Sequence, residues 1–329
     1  MHLYCIVINI FQFFCQGNGL KSYGNSLPNK STQYLTNPVF SGYCECMHKI
    51  LEKQKLSQDV YLMRLDAPDI ARERKAGQFL IIQLDNDWSE RIPLTIADGS
   101  ASEGWIMIIF QAVGRTTKLL AQRNVGESVA NILGPLGMPT HIENFGRAVC
   151  VGGGIGVAPM HPIAQALKAA GNHLTIIMGA RNKDLLVLED KMRALADELI
   201  IVTDDGSAGR KALVTEPLKE LCESTEKPDI VVAIGPPIMM KFCAETTRPY
   251  GVHTMVSLNT IMVDGTGMCG GCRVTVGGKT QFVCVDGPEF DGHKVDFDNM
   301  MNRLRSYKPI EEEHSKNCIM QAETKEESK

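Results

Sequence analysis

The pattern of apolar and polar positions changes character near residue 146. Before that point, short β-rich runs are separated by turn residues, and they occupy residues 59–65, 78–84, 105–110 and 126–133. One helix-like segment, at residues 116–123, interrupts them. Five or six short strands with a single helix predict a small Greek-key β-barrel over residues 47–145.

After residue 146, apolar strand-like runs alternate with helix-like segments. The predicted strands cover residues 147–152, 174–178, 199–203, 230–234 and 252–258. The predicted helices cover residues 160–170, 185–195, 214–222 and 238–247. Regular βα alternation of this length predicts an α/β domain with a doubly wound parallel sheet over residues 146–258.

The two ends of the chain lack a sustained period. Residues 1–46 are rich in Ser, Asn, Gly and Pro, which predicts a disordered leader or a mispredicted start. A signal peptide is the weaker alternative, because the first residues lack a basic segment and a clear cleavage site. The charged segment at residues 307–329 predicts a disordered tail.

Composition narrows the class of protein. The 329 residues suffice for two or three domains, and the net charge of −4 offers no basic surplus for a nucleic-acid partner. Several of the 11 cysteines lie inside apolar runs, as Cys150 does, which is typical of a reducing compartment and predicts a cytoplasmic protein. No apolar run reaches the roughly 18 residues of a membrane span.

A cysteine loop follows the predicted α/β domain, within residues 259–306. Its spacing is D-x4-C-x2-C-x11-C, formed by Asp264, Cys269, Cys272 and Cys284. Plant-type ferredoxins use C-x4-C-x2-C…C around a [2Fe–2S] cluster, so a carboxylate here replaces the first thiolate. Zinc bound by three thiolates and a carboxylate is the rival, as in a zinc-stabilised nucleotide-binding module without redox activity. Three free thiols are the remaining alternative.

Residues 152–159 join the first strand of the α/β domain to its first helix. Gly153, Gly154, Ile155 and Gly156 allow backbone N–H groups and the helix N-terminus to approach a dinucleotide pyrophosphate. The stretch departs from the strict G-x-G-x-x-G pattern, because the third glycine position holds Val157. A tight βα turn without a ligand is the alternative.

Two later strand ends carry further candidates, because open α/β sheets bind ligands at the carboxyl ends of their strands. Asp204 or Asp205 suits a ribose hydroxyl, and an Asx turn before a glycine is the alternative. Gly235 and Pro236 suit a close approach to a nicotinamide, and a plain break between strand and helix is the alternative.

The predicted barrel contributes two candidate stretches. In residues 91–95, the Arg91 guanidinium suits a diphosphate and the Thr95 hydroxyl suits the edge of a flavin ring. Gly114 to Thr117 precede the predicted helix, where an N-terminus can hold a phosphate. An edge strand with a proline is the alternative for the first stretch.

Together these motifs resemble the ferredoxin–NADP reductase superfamily. The likeness extends over about residues 47–306 and rests on residues 90–97, 134–137, 152–159, 203–207 and 264–284. Within the superfamily, the chain is similar to the sulfide dehydrogenase/dihydroorotate dehydrogenase-like electron-transfer subunits. The nearest likeness is to the small (alpha) subunits of NADH-dependent reduced ferredoxin:NADP oxidoreductases.

The resemblance implies FAD on the barrel, NAD(P) on the α/β domain and a [2Fe–2S] cluster on the C-terminal loop. It implies that the isoalloxazine is lined by Pro93, Leu94 and Thr95, with Thr95 as the catalytic candidate. It implies an FAD pyrophosphate site at Gly114 and Thr117, dinucleotide phosphates at Gly153, Gly154, Ile155 and Gly156, and a nicotinamide beside Gly235 and Pro236. It assigns iron to Asp264, Cys269, Cys272 and Cys284.

The same resemblance implies an electron-transfer flavoprotein subunit with a larger flavin and iron–sulfur partner of the glutamate-synthase-like type. Ferredoxin would be reached through that partner. The alternative is the electron-transfer subunit of dihydroorotate dehydrogenase B, which carries four cysteines where this chain has Asp264 and three cysteines. That substitution argues against a role in pyrimidine synthesis.

Two other departures concern the flavin and the nicotinamide. The superfamily's arginine stands three residues before the hydroxyl residue, whereas Arg91 stands four before Thr95. The usual Cys-Gly-Pro is Ile234-Gly-Pro here, so a thiol at the nicotinamide is missing.

Overall fold

The computed structural model describes residues 47–85 and 89–306. The predicted leader at 1–46 and the predicted tail at 307–329 lie outside the described residues. No helix in the described part of the chain has the length and apolar character needed to cross a membrane.

The first half of the described chain is a β-barrel. Its strands are β1 (His48–Ser57), β2 (Val60–Asp66), β3 (Phe79–Gln83), β4 (Arg91–Ser100), β5 (Trp105–Gln111), β6 (Ser128–Val129) and β7 (Asn131–Leu136). They form one antiparallel sheet in the order β6-β1-β2-β5-β4-β3-β7. Strands β3, β4 and β5 are consecutive neighbours and β2 returns beside β5, so the predicted Greek key is confirmed.

The two edges of the barrel sheet meet at Ala130. Strand β6 pairs with β1 at one end of the sheet, and β7 pairs with β3 at the other. Only Ala130 separates β6 from β7 in the chain, so the two ends of the sheet must lie side by side. The predicted single strand over residues 126–133 is therefore two strands, because the chain passes from one edge to the other there.

The prediction of a single helix in the barrel is wrong. Helix α1 (Pro68–Glu73) follows β2, in addition to α2 (Arg115–Gln122), which matches the predicted segment. Proline in the first turn and Asp69 beside the N-terminus both favour a helix start at this point. Six residues are too few to show a helical period, so only the signals at the start of the helix could have predicted it.

The predicted α/β domain is confirmed as a fold. Its parallel strands are β8 (Arg147–Gly153), β9 (His173–Ala180), β10 (Glu198–Thr203), β11 (Arg210–Lys211), β12 (Ile230–Ile234) and β13 (His253–Ser257). Its helices are α3 (Val157–Ala169), α4 (Glu189–Leu195), α5 (Thr215–Glu223) and α6 (Pro237–Thr247). All five residues of β12 are buried, as expected for a strand that helices cover on both faces.

The C-terminal segment contains elements for which the sequence analysis made no prediction. They are β14 (Arg273–Val276), β15 (Lys279–Phe282), α7 (Val283–Asp286), β16 (Glu289–Asp291) and α8 (Phe297–Arg305). Strands β14 and β15 form a hairpin. Strand β16 joins the parallel sheet as an antiparallel edge, in the order β11-β10-β9-β8-β12-β13-β16.

The hydrophobic cores join these parts. One core fills the barrel, and it includes Leu80 and Ile96. Another core combines Phe79 and Ile81 of the barrel with β12, β13 and the C-terminal segment. On the other side of the sheet, α3 packs against the barrel, where the His161 ring Nδ1 lies 3.2 Å from the Ala97 carbonyl oxygen. The barrel and the sheet therefore share buried contacts.

Candidate functional site

Strand β4 presents the candidate flavin residues on alternating faces. Side chains two apart along a strand share a face, so Arg91, Pro93 and Thr95 lie together. Leu94 lies on the opposite face and packs against the barrel core. The structure thus brings three of the four predicted residues together and turns the Leu94 side chain away from them.

The residues predicted to bind the FAD diphosphate differ in whether they already form hydrogen bonds within the protein. Within residues 47–85 and 89–306, the Arg91 guanidinium makes no hydrogen bond or ion pair with the protein. The Thr117 hydroxyl, in contrast, accepts a hydrogen bond of 3.0 Å from the Gly114 N–H. Thr117 therefore caps the start of α2, and Gly114 and Thr117 lie next to each other as the prediction requires.

The glycine turn lies where the order of the parallel strands reverses. Strand β8 has β9 on one side and β12 on the other, so the ends of β8 and β12 border the crevice in which such sheets bind ligands. Strand β8 ends at Gly153, a single turn covers Gly154–Gly156, and α3 begins at Val157. The N-terminus of α3 therefore points toward this crevice.

Gly156 and Gly154 meet two different structural requirements of the turn. A Cβ on Gly156 would lie 2.3 Å from the Ile234 carbonyl oxygen, so only glycine fits against β12. Gly154 has φ +55°, and a Cβ there would meet no protein atom within 4 Å. Gly154 therefore borders open space, and its positive φ turns the backbone in a way that favours glycine.

Gly235 and Pro236 lie directly beside the turn. The Cβ position of Gly235 is 3.1 Å from the Gly153 Cα, and that of Gly153 is 3.2 Å from the Pro236 Cδ. The Met239 side chain packs against both glycines. Two predicted dinucleotide segments, far apart in sequence, thus form one surface, and Met239 is a contributor that sequence reasoning missed.

The two acidic residues after β10 have different surroundings. The Asp205 carboxylate accepts hydrogen bonds from the Ser207 N–H at 2.9 Å and the Ser207 hydroxyl at 2.6 Å. These bonds lower the pKa of Asp205. The Asp204 side chain is exposed and makes no hydrogen bond within the part of the chain that the structure covers. Asp204 is therefore the carboxylate that remains available to a ligand.

The hairpin β14–β15 explains the long spacing between the last two cysteines. Cys272 precedes β14 and Cys284 follows β15, and the pairing of Arg273 with Phe282 brings the two ends together. The Sγ atoms of Cys272 and Cys284 lie 3.2 Å apart, too far for a disulfide. The turn of the hairpin uses Gly277 and Gly278, both with positive φ.

Burial makes the thiolate form of Cys284 unfavourable. It raises the pKa of Cys284 to about 12, with further contributions from the adjacent Cys272. A positive centre beside the Cys284 sulfur would favour its deprotonation. The Cys284 N–H already points at the Cys272 sulfur, at 3.5 Å.

Asp264 and Cys269 form a second pair of candidate donors. The Cys269 N–H donates to the Asp264 carboxylate at 2.7 Å, and the Thr266 N–H donates at 2.5 Å. Burial acts to raise the pKa of Asp264, but hydrogen bonds from Thr266 and from the backbone and thiol of Cys269 outweigh it and lower the pKa. Asp264 is therefore ionised at neutral pH, as an iron ligand must be.

The donor set fits a two-iron cluster. No three His, Cys, Asp or Glu side chains in the described ranges surround a single point, as one zinc ion would require. The donors instead form two pairs, Asp264 with Cys269 and Cys272 with Cys284. N–H groups also point at sulfur atoms, as the Gly271 N–H does at Cys269 over 3.4 Å. Such N–H···S contacts accompany iron–sulfur thiolates.

The cysteine loop packs directly on the barrel. A Cβ on Gly265 would lie 2.7 Å from Leu136 Cδ1 and 2.9 Å from Ile81 Cγ1, so the loop backbone touches β7 and β3. Ile81 pairs directly with Pro93, and residues paired across strands share a face. The candidate flavin face and the cysteine loop are therefore neighbours. No signal in the sequence identified Ile81 or Leu136 as the contact.

Comparison with known proteins agrees with this arrangement. Residues 259–296 match a family model described as the iron-sulfur cluster binding domain of dihydroorotate dehydrogenase B. Residues 150–245 match a model of an oxidoreductase NAD-binding domain.

This chain matches two relatives over most of their own length. The Thermotoga maritima dihydroorotate dehydrogenase B (NAD(+)) electron transfer subunit homolog is 47% identical over 80% of this chain and 93% of its own. The Desulforamulus reducens electron transfer subunit of the same enzyme is 34% identical over 75% and 96% of the two chains.

The solved structures that resemble this chain include a protein of similar sequence. It is the NADH-dependent reduced ferredoxin-NADP oxidoreductase that was studied for flavin-based electron bifurcation. The two chains are 45% identical with a TM-score of 0.76, and the match covers 82% of this chain and 97% of the other. The predicted resemblance is confirmed, and iron–sulfur rather than zinc is the cofactor type of the cysteine loop.

Proposed function

The chain belongs to the family of dihydroorotate dehydrogenase B electron transfer subunits, and we propose that it passes electrons between NAD(P)H and a larger partner subunit. The route uses FAD on the barrel and a [2Fe–2S] cluster on the C-terminal loop. One observation carries the proposal: Gly265 of the loop packs on Ile81, whose direct cross-strand partner is Pro93 of the flavin face.

Bound there, FAD would supply hydride exchange with a nicotinamide and single-electron exchange with an iron–sulfur cluster. The residues of this chain hold the groups at fixed positions. Arg91 binds the FAD diphosphate with its free guanidinium, and the N-terminus of α2 at Gly114 and Thr117 adds N–H donors. Pro93 and the Thr95 hydroxyl face the isoalloxazine, and Leu94 contributes its backbone only.

The dinucleotide binds across the ends of β8, β10 and β12. Its phosphates lie over Gly153, Gly154, Ile155 and Gly156, where the open space above Gly154 supports the assignment. Asp204 accepts a hydrogen bond from a ribose hydroxyl. Gly235 and Pro236 lie against the nicotinamide.

Four side chains bind the cluster in two pairs. Cys272 and Cys284 would hold the cluster from one side and Asp264 and Cys269 from the other, and the cluster would supply one-electron transfer. The separation of 3.2 Å between the Cys272 and Cys284 sulfur atoms supports the first pair. The carboxylate is a harder ligand than a thiolate, so the two irons have unequal environments.

A partner subunit approaches the cluster edge of the molecule. Met268 and Val285 are apolar and exposed, at 72% and 38%, and Met268 precedes the exposed Cys269. The partner is a larger flavin and iron–sulfur subunit of the glutamate-synthase-like type, in the cytoplasm, with ferredoxin reached through it. The cofactors occupy three domains, at residues 47–145, 146–258 and 259–306.

An anaerobic titration of the purified holoprotein with NADH, and separately NADPH, tests the proposal. The visible spectrum is expected to show flavin and [2Fe–2S] absorption. Reduced nucleotide should then bleach the flavin and produce the electron paramagnetic resonance signal of a reduced cluster. A colourless protein, or one that neither nucleotide reduces, would overturn the proposal.

The identity of the electron donor distinguishes the proposed function from that of a dihydroorotate dehydrogenase B electron transfer subunit. The names of the relatives favour the latter function, whereas Asp264 in place of a cysteine argues against it. When the chain is mixed with a dihydroorotate dehydrogenase catalytic subunit, dihydroorotate is expected to leave its flavin and cluster oxidised. Reduction of the cluster by dihydroorotate would instead support a role in pyrimidine synthesis.

A further inference from the structure

Glu289 is a carboxyl group in the contact between the barrel and the C-terminal segment. It is the first residue of β16, the antiparallel edge strand that follows the last cysteine of the loop. Its Oε1 accepts a hydrogen bond of 2.7 Å from the Thr140 hydroxyl, in the segment that leaves the barrel. Glu289 makes no ion pair in the described ranges of the chain.

The barrel makes room for this hydrogen-bonded pair. Gly77 has φ +82°, and a Cβ there would lie 2.2 Å from Thr140 Oγ1 and 3.1 Å from Glu289 Oε1. Gly77 stands two residues before Phe79, which pairs with Thr95. The Glu289 carboxyl therefore lies just before the start of β3, two residues along the chain from the residue that pairs with Thr95.

Few charged groups face this carboxyl. The titratable group that meets it from the parallel sheet is the buried Cys150 thiol of β8, whose pKa is raised first by burial and then by the charge of Glu289. On its own strand, Asp291 is already paired with Lys294 at 2.9 Å. Near Thr140, the Glu143 carboxylate is exposed and lies 3.1 Å from the His141 ring.

We infer that Glu289 takes up a proton when the flavin on the barrel is reduced. The inference rests on the proposed function, because it needs FAD beside Thr95. A hydride from NADH leaves NAD⁺ and adds one negative charge to the flavin. One solvent proton then binds the Glu289 carboxylate, so the charge beside the flavin is balanced and every atom and electron is accounted for.

The chemistry of the position agrees with this role. Burial raises the pKa of Glu289 to about 7, against the opposing effect of the Thr140 hydrogen bond. A group with that pKa changes its protonation in response to a nearby charge at neutral pH, whereas an ordinary carboxylate stays ionised. Glu289 does not touch the reacting atoms, so it acts as a positioning residue for charge.

Redox-difference infrared spectroscopy of the holoprotein tests the inference. On reduction by NADH at neutral pH, wild type is expected to gain the C=O stretch of a protonated carboxylic acid, with a shift in D₂O. Glu289→Gln should lose this band, and the control Glu143→Gln should keep it. A band that survives in Glu289→Gln, or that is absent from wild type while the flavin bleaches, overturns the inference.

A second measurement compares the flavin midpoint potential of wild type with those of two variants. The flavin midpoint potential of wild type is expected to fall more steeply with rising pH near neutrality than that of Glu289→Gln. Thr140→Val removes the hydrogen bond that lowers the pKa of Glu289. In this variant, the pH range in which the flavin midpoint potential falls steeply should therefore move to higher pH. Equal pH profiles in all three proteins overturn the inference. Failure of NADH to bleach the flavin at all would instead reject the proposed function.

Discussion

The glycine turn and the cysteine loop are both candidate ligand sites, and they are built from different parts of the chain. At residues 153–156 the backbone forms the site, and the close contact of Gly156 with the Ile234 carbonyl holds its shape. At residues 264–284 the side chains form the site, and Asp264 and Cys269 also bond to each other. A backbone site is sensitive to an added methyl group, whereas a side-chain site is sensitive to a changed ligand atom.

The largest effect is expected from the buried thiol pair. Cys272→Ser and Cys284→Ser each replace a soft ligand and should lower iron content by more than about tenfold, since even indirect partners of a metal cost 10–100-fold. FAD content should stay unchanged, because the flavin residues lie on the barrel. Iron and flavin analysis of the purified variants measures both.

The matched control for the thiol pair is Cys222→Ser, a buried cysteine of α5 outside the loop. It should keep its iron. Equal iron in all three variants and wild type would remove the hairpin cysteines from the cluster.

A smaller effect is expected from one methyl group on the backbone site. Gly154→Ala introduces a side chain at φ +55° into open space, where it blocks the approach of a phosphate. The dissociation constant for NADH should rise by about tenfold, which corresponds to roughly 1.4 kcal/mol. Isothermal titration of the holoprotein measures it.

Gly251→Ala provides the control for strain. Gly251 has φ +64° and equally open surroundings, at the end of the turn before β13. Its substitution should destabilise the fold to a similar extent and leave NADH affinity unchanged. If both variants bind NADH equally, the turn at Gly154 does not contact the dinucleotide.

Asp264→Cys changes the cluster without removing it. The substitution gives four thiolates at unchanged spacing, so the [2Fe–2S] cluster should remain and its reduction potential should change. Asp264→Ala should leave one iron open and make the cluster labile. Electron paramagnetic resonance of the reduced proteins decides: identical g-values and midpoint potentials in wild type and Asp264→Cys would mean that Asp264 only caps the loop.

A further effect concerns the contact between the barrel and the C-terminal segment, at Glu289 and Thr140. The folded-state pKa of Glu289, about 7, lies above its usual value of 4.5, so the folded protein holds this proton more tightly. Its contribution to stability is therefore lost as pH rises from 4.5 to 7. Glu289→Gln should match wild type near pH 4.5 and exceed its unfolding free energy by on the order of 2 kcal/mol at pH 8. Thermal unfolding at both pH values measures the difference, and parallel profiles would contradict it.

Periodicity and glycine placement predicted the regular part of the fold. The run at residues 230–234 is entirely apolar, and it became a strand with those bounds because helices cover both of its faces. The turn at residues 153–156 was recognisable because close backbone approach requires glycine. The spacing of the four candidate iron ligands was equally visible, since it is set along the chain.

The remaining features depend on contacts between distant segments. Strand β16 has three residues, too few for any period, and it exists because β13 offers an edge to pair with. Gly277 and Gly278 are a sequence signal for the turn of the hairpin β14–β15. Nothing in the sequence near Glu289 or Thr140 indicates that these residues meet, because 149 positions separate them.

The edge strand β16 also determines when the sheet can be completed during synthesis. Its partner β13 has been made before the cysteine loop, and β16 comes after it, so the order of translation puts the ligands between the two strands. Domains generally fold as units while the chain emerges from the ribosome, and contacts that close long loops form late. The barrel and most of the parallel sheet are thus expected to form first, and the last edge of the sheet closes only after all four candidate iron ligands have been synthesised.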